Sequence, residues 1–321
     1  LLEGYPREAG APDTHAGLIA AITEFAEGKS RVHLSRDCGE SWTEIGARPE
    51  FRIEDMAWTD RDGEPVLLLA TAKGLYELAT RPGANLKAIL VDPQQMDLGF
   101  YAVAVSTDLW GQSCVAVAAR ARGGVYLSQD GGKPGTFRHI GLENEKVRVL
   151  SVHHHGAERF LWAGMDAAGE DAGTGCARWQ LPDSPEGWHA YGQNWEAGGC
   201  LGLAFVDAKV LAGTRRHGVL QLDLDAADPK WAAPDVKCGL PLETLKRMRT
   251  VDYVAAAPGG SAAEAGLVMA ATAVGIYRSS NRGVSYEHCS EREFADRVTL
   301  PQTWLFCSDE HEIEVSHDAA L

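Results

Sequence analysis

The chain has 321 residues, 45 acidic against 30 basic side chains, and a formal net charge of −15. That balance argues against nucleic acid and anionic membrane as general partners. No apolar run approaches the ~18–20 residues that would insert across a bilayer, and a hydrophobic content of 45% suits a globular chain with a large core.

Residues 1–14 contain Pro6, Gly10 and Pro12 and are read as a tail or a closing strand. The first informative segment is Arg31-Val32-His33-Leu34-Ser35, which runs into Ser35-Arg36-Asp37-Cys38-Gly39-Glu40-Ser41-Trp42. The latter reads S-x-D-x-G-x-S-W. Asp37 can accept backbone N–H groups within an Asx-type turn. Gly39 supplies a backbone with positive φ. Ser35 can bond locally, and Trp42 can cover the turn while its N–H keeps a partner.

An apolar run at 66–71 then leads into Gly74-Leu75-Tyr76-Glu77-Leu78. The run at 115–119 leads into Gly124-Val125-Tyr126-Leu127-Ser128 and a second turn built on Ser128, Asp130, Gly132 and Phe137, two residues longer than the first. Further starts are Gly175-Cys176-Ala177-Arg178-Trp179 and Gly218-Val219-Leu220-Gln221-Leu222, the latter preceded by 210–213. The run at 267–271 precedes Gly275-Ile276-Tyr277-Arg278-Ser279, which opens a third turn on Ser279, Asn281, Gly283 and Tyr286. A last start at Glu312 ends in Ser316-His317-Asp318. The seven starts, at 31, 74, 124, 175, 218, 275 and 312, lie 37 to 57 residues apart. Periods of this size indicate a propeller with one four-stranded blade per repeat. Residues 53–58, 147–152, 201–205 and 251–255 fill an innermost-strand slot in four of the repeats. Residues 242–249 could hold one helical turn.

The turn resembles the Asp-box, or BNR repeat, of sialidase-like and sortilin-like β-propellers. The same turn occurs in xyloglucan-active glycosidases and photosystem assembly-factor propellers. The resemblance implies an all-β chain forming a single seven-bladed propeller over 1–321, with six blades as the alternative. In this superfamily the box stabilises a blade edge, so it implies the fold and leaves the function open.

Seven cysteines, at 38, 114, 176, 200, 238, 289 and 307, include no two within four residues. No zinc or redox motif is indicated, and scattered thiols with no visible leader suggest a cytoplasmic protein, with an exported form whose signal peptide has been removed as the alternative. No P-loop, dinucleotide fingerprint or HExxH occurs, and no cofactor is expected.

Arg52, Lys146 and Arg249 share the position at the start of the inner strand in three repeats, with Arg148 two residues further in. Cations converging at one channel mouth would bind an anion or an acidic partner; pairing with Glu54, Glu145 and Asp252 is the competing role. Phe51-Arg52-Ile53-Glu54 resembles the F/Y-R-I-P element of sialidases, with Glu54 in place of Pro. Tyr253 is the one nucleophile candidate, and no catalytic set assembles around it. His153 and His155 fall on one strand face and are the metal-ligand candidates, with a polar strand end as the alternative. Asp166, Glu170 and Asp171 lack calcium-loop spacing. Of nine tryptophans, Trp110, Trp188 and Trp195 lie in loops and are candidates for stacking on glycans. The expected function is a non-catalytic scaffold or assembly factor that binds a protein or peptide. A glycoside hydrolase or carbohydrate-binding propeller is the alternative.

Overall fold

Each apolar run singled out in the sequence is the second strand of a four-stranded antiparallel sheet. A computed structural model describes residues 2–5, 17–26, 28–46, 51–91, 98–108, 112–121, 123–155, 157–169, 171–244, 247–257 and 266–289. Among these the fold is an all-β propeller of six blades. The chain divides into two compact units, the division falling between Val147 and Arg148.

The first unit holds three blades. They are β1 (Leu2–Gly4), β2 (Ile19–Ala26), β3 (Lys29–Ser35) and β4 (Thr43–Ile45); β5 (Ile53–Arg61), β6 (Glu64–Thr71), β7 (Gly74–Ala79) and β8 (Lys87–Leu90); and β9 (Phe100–Thr107), β10 (Ser113–Ala119), β11 (Val125–Ser128) and β12 (Phe137–His139). The fourth blade, in the second unit from Arg148 onward, is β13 (Val147–His155), β14 (Glu158–Met165), β15 (Cys176–Leu181) and β16 (His189–Tyr191). The fifth blade is β17 (Cys200–Val206), β18 (Lys209–Thr214), β19 (Val219–Asp223) and β20 (Trp231–Ala232). After a small hairpin, β21 (Leu242–Thr244) and β22 (Arg247–Met248), the sixth is β23 (Val251–Ala256), β24 (Val268–Thr272), β25 (Gly275–Ser279) and β26 (Glu287–His288).

The second strands read as unbroken apolar runs because both of their faces are covered. Successive residues of a strand point to opposite faces. Leu67 and Leu69 of β6 therefore pack with Leu34, Ile45 and Trp58, toward the first blade. Leu68 and Ala70 pack the other way, with Phe100, Val115 and Val117 of the third blade. The second unit repeats the arrangement. Val210 and Ala212 of β18 join Trp162 and Tyr191, while Leu211 joins Val251, Val268 and Tyr286.

The described residues form six blades, the alternative count, and the seventh start at 312 lies outside them. Within the 1–14 segment, Leu2–Gly4 pairs with β2, Leu2 opposite Ala21. Within 242–249, Leu242–Thr244 and Arg247–Met248 pair as strands, Leu242 opposite Met248, which corrects the helical turn expected there.

The three serine-led turns adopt one hydrogen-bond scheme. Ser35 Oγ accepts from the Gly39 N–H at 2.8 Å, and Ser128 and Ser279 accept likewise from Gly132 and Gly283 at 3.1 and 2.9 Å. Asp37 Oδ1 accepts from the Ser41 N–H at 2.9 Å, as Asn281 Oδ1 does from Ser285. In the longer second turn, Lys133 Nζ instead pairs with Asp130 at 2.9 Å. Two consecutive residues of each turn have positive φ: Cys38 and Gly39 at 58° and 94°, Gly131 and Gly132 at 59° and 75°, Arg282 and Gly283 at 64° and 80°. The first N–H of each pair bonds to a carbonyl just ahead of, or at the start of, the blade's second strand, namely Gly17, Ser113 and Gly266. The turn thus clamps its own blade.

Candidate functional site

In the first unit, three cations gather around one carboxylate and one aromatic ring. The register between β5 and β6 shifts from Ile53 to Asp55, so Glu54 is the extra residue of a β-bulge. A bulge re-aims the side chain that it carries. The Glu54 side chain is 7% exposed and lies between two guanidiniums, 3.5 Å from Arg52 Nε and 3.3 Å from Arg120 Nη1. The Arg120 guanidinium stands 5.0 Å from the Tyr101 ring centroid, and Lys146 Nζ stands 6.0 Å from the same ring. These are cation–π distances. Arg52 remains 54% exposed and Arg120 34%.

Backbone contacts fix the group. Arg120 N–H bonds to Gly99 O at 2.7 Å. A side chain at Gly99 would strike Ala72 O at 2.7 Å and the Arg120 stem at 2.8 Å. Phe51 stacks on Tyr76, with centroids 5.1 Å apart. Asp55 accepts from the Val103 N–H at 2.9 Å and so ties the second blade to the third.

Arg120 was not foreseen. Its signal is positional: it follows the second strand of its blade directly, and so does Arg215 in the second unit. There Arg215 makes a two-pronged pair with Asp166, at 2.8 and 3.0 Å. The Asp166 side chain is 1% exposed. That bond, and the nearby charges of Asp166 and Asp252, hold the Arg215 guanidinium above its ordinary pKa despite partial burial. Arg216 is buried and donates to Asp171 O at 2.6 Å, pinning the backbone there. The carboxylate oxygens of Asp166 are thereby engaged by an arginine, and Asp171 caps the Gly173 N–H at 3.0 Å. Neither is presented as a calcium ligand, and Glu170 lies outside the described residues.

Arg52 and Lys146 belong to the first unit. Arg148 and Arg249 belong to the second, where Arg249 is exposed, its N–H bonded to Pro241 O at 2.9 Å. Tyr253 is 45% exposed, beside a bulge at Asp252. His153 and His155 do share a face, their rings 5.9 Å apart. His153, however, is 5% exposed, stacks on Phe205 at 4.3 Å and points Nε2 at Asp207 O, 3.2 Å away. Burial drives its pKa down to about 4. No group of three or more His, Cys, Asp or Glu side chains able to hold a metal occurs among the described residues.

Trp195 is corrected as a glycan platform. It is 5% exposed, donates to Gly198 O at 2.8 Å and meets Trp231 edge-on. Trp188 is half-buried beside Trp179, with centroids 5.7 Å apart. Trp110 lies outside the described residues. No helix among the described residues is long and apolar enough to cross a membrane.

No family model matches the sequence, and no curated protein matches it. Solved structures do. The chain is similar to BBS1N, crystallised in complex with ARL6DN, with a TM-score of 0.57 and 10% identity over 86% of this chain and 80% of that one. It is similar to the GH74 xyloglucanase of Xanthomonas campestris, with a TM-score of 0.53 and 17% identity over 83% of this chain and 43% of that one. It is also similar to the WD40 domain of Neurospora crassa Pan2, with a TM-score of 0.50 and 13% identity over 91% and 85%. Identities this low establish the β-propeller fold and carry no activity with them.

Proposed function

We propose that this chain is a non-catalytic propeller of the Asp-box group that binds an acidic segment of a protein partner at Arg52, Arg120 and Lys146. The observation that carries the reading is the convergence of three cations on Glu54 and Tyr101, on a chain whose net charge is −15. Glu54 engages one nitrogen of each arginine, whereas a guanidinium has five N–H donors in a planar fork. The fork suits carboxylates. Glu54 and Tyr101 therefore act as positioning residues that hold two half-open guanidiniums toward a ligand. A local cation cluster on an acidic protein also selects its partner, because the surrounding field repels acidic segments that miss it. The three turns that share one bonding scheme support membership of the Asp-box group.

The test is affinity capture from the native host with the wild-type chain and with Arg52→Glu/Arg120→Glu. A stoichiometric protein held by the first and lost from the second is expected. Equal capture by both would overturn the site.

A glycan-binding role rests on a separate observation, the Trp188 ring half-buried against Trp179. Titration with xyloglucan oligosaccharides, followed by tryptophan fluorescence, decides it: saturable quenching that disappears in Trp188→Ala would favour this second role.

A further inference from the structure

Cys176 and Cys200 are 24 positions apart and form no motif in the sequence, yet the fold brings them together. Cys176 opens β15 of the fourth blade and Cys200 opens β17 of the fifth. Their sulfurs are 3.7 Å apart, and both residues are 0% exposed. Space for the pair comes from Gly164, which lies opposite Cys176 in the β14–β15 ladder. A Cβ at Gly164 would stand 2.5 Å from Cys200 Sγ. Cys200 also sits where the β17–β18 register shifts, between Cys200 and Gly202, so its strand departs from regular pairing there. A disulfide has a bond of ~2.0 Å. The sulfurs would close the difference by rotation of the two cysteine side chains.

We propose that Cys176 and Cys200 are joined by a disulfide, fastening the fourth blade to the fifth, when the chain folds in the presence of a small-molecule disulfide such as oxidised glutathione. One cysteine thiolate attacks the glutathione disulfide, forming a protein–glutathione bond and releasing one glutathione. The second cysteine thiolate attacks the protein sulfur of that bond, forming the Cys176–Cys200 bond and releasing the second glutathione. Two cysteine thiols are oxidised, one glutathione disulfide is reduced, and the two cysteine protons end on the two glutathione thiols. The exchange belongs to the folding chain. In the folded protein both sulfurs are enclosed, and burial pushes the Cys176 thiol well up, which starves it of thiolate. The bond closes a loop of the unfolded chain and stabilises by restricting it.

The experiment refolds the wild-type chain from denaturant in a reduced/oxidised glutathione buffer and, in parallel, under a phosphine reductant. Free thiols are then alkylated and the chain digested without reduction. The expected result is a linked peptide pair carrying Cys176 and Cys200, with a thermal midpoint about 5 °C or more above the reduced protein. In Cys176→Ala and Cys200→Ala both the linkage and the increment disappear. Recovery of Cys176 and Cys200 as alkylated free thiols from the glutathione arm overturns the proposal, as does linkage of either to another cysteine. The peptide map is read in the wild-type chain, so it decides even where an alanine variant fails to fold.

Discussion

Gln221 of the fifth blade donates its side-chain amide to the backbone oxygen of Gly283 in the sixth, at 2.6 Å. In the first serine-led turn the equivalent oxygen, that of Gly39, takes the Trp42 indole N–H at 3.0 Å. The third turn has Tyr286 where the first has Trp42. The tyrosine ring is buried, its hydroxyl makes no hydrogen bond, and burial pushes its pKa strongly up. A neighbouring blade therefore supplies the donor that the aromatic residue of the turn does not.

Removing the donor should cost more than removing the hydroxyl. Gln221→Ala leaves a buried carbonyl unpaired, worth about 1–2 kcal/mol. Tyr286→Phe discards a hydroxyl that is desolvated without compensation, so it should be neutral or stabilising by up to ~1 kcal/mol. Urea unfolding of the two variants checks the order; a clear loss in Tyr286→Phe would show that the hydroxyl has a partner.

The propeller was legible because the serine, the acid and the glycine of the turns each meet a local stereochemical need, and because the apolar runs recur. The first-strand slot at 251–255 was legible for the same reason. The cation group was only half legible. Arg52 and Lys146 stand at repeat-equivalent positions, but Arg120 reaches Glu54 from 66 residues away, and nothing local marks that pairing. The bulge at Glu54 is likewise a matter of register between strands, which spacing along one strand does not display. Trp195 failed as a platform because a long loop suggested exposure, while the indole N–H of Trp195 is committed to Gly198 O.

Asp37 makes the first turn sensitive to acid. Hydrogen bonds from the Ser41 hydroxyl and N–H and from Ser35 hold its carboxyl down to about 2, against an ordinary 3.8. A depressed folded-state pKa contributes stability that is present above the unfolded value and is lost as pH falls through the folded one. The difference in thermal midpoint between wild type and Asp37→Asn should therefore be constant above about pH 5 and shrink between about pH 4 and 2. A difference that stays flat across that window would mean that the carboxylate is not held by these bonds.

Asp166 and Arg215 are a nearly closed pair that a neighbouring glycine makes possible. A side chain at Gly199 would run into Asp166 Oδ1 and stand 3.0 Å from Arg215 Nε. Gly199→Ala should cost about 2–4 kcal/mol by parting the two. Arg215→Met should cost about 1–3 kcal/mol, less than a fully buried pair because Arg215 is 40% exposed. If Arg215→Met unfolds at the wild-type urea concentration, Asp166 has other means of compensation.

The binding site makes a graded prediction. Arg120 is less exposed than Arg52 and rests on Tyr101, so it loses less side-chain freedom on capturing a carboxylate. With a glutamate-rich synthetic peptide as probe, Arg120→Ala should weaken binding about tenfold or more, and Arg52→Ala by a smaller factor. Arg120→Lys keeps the charge and loses the fork, so it should fall between wild type and Arg120→Ala. Added salt should weaken the wild-type affinity more steeply than that of either alanine variant, since each variant has one cation fewer to screen. Isothermal titration at two salt concentrations separates the cases. Equal losses at the two arginines, with no salt effect, would mean that the cations serve Glu54 alone.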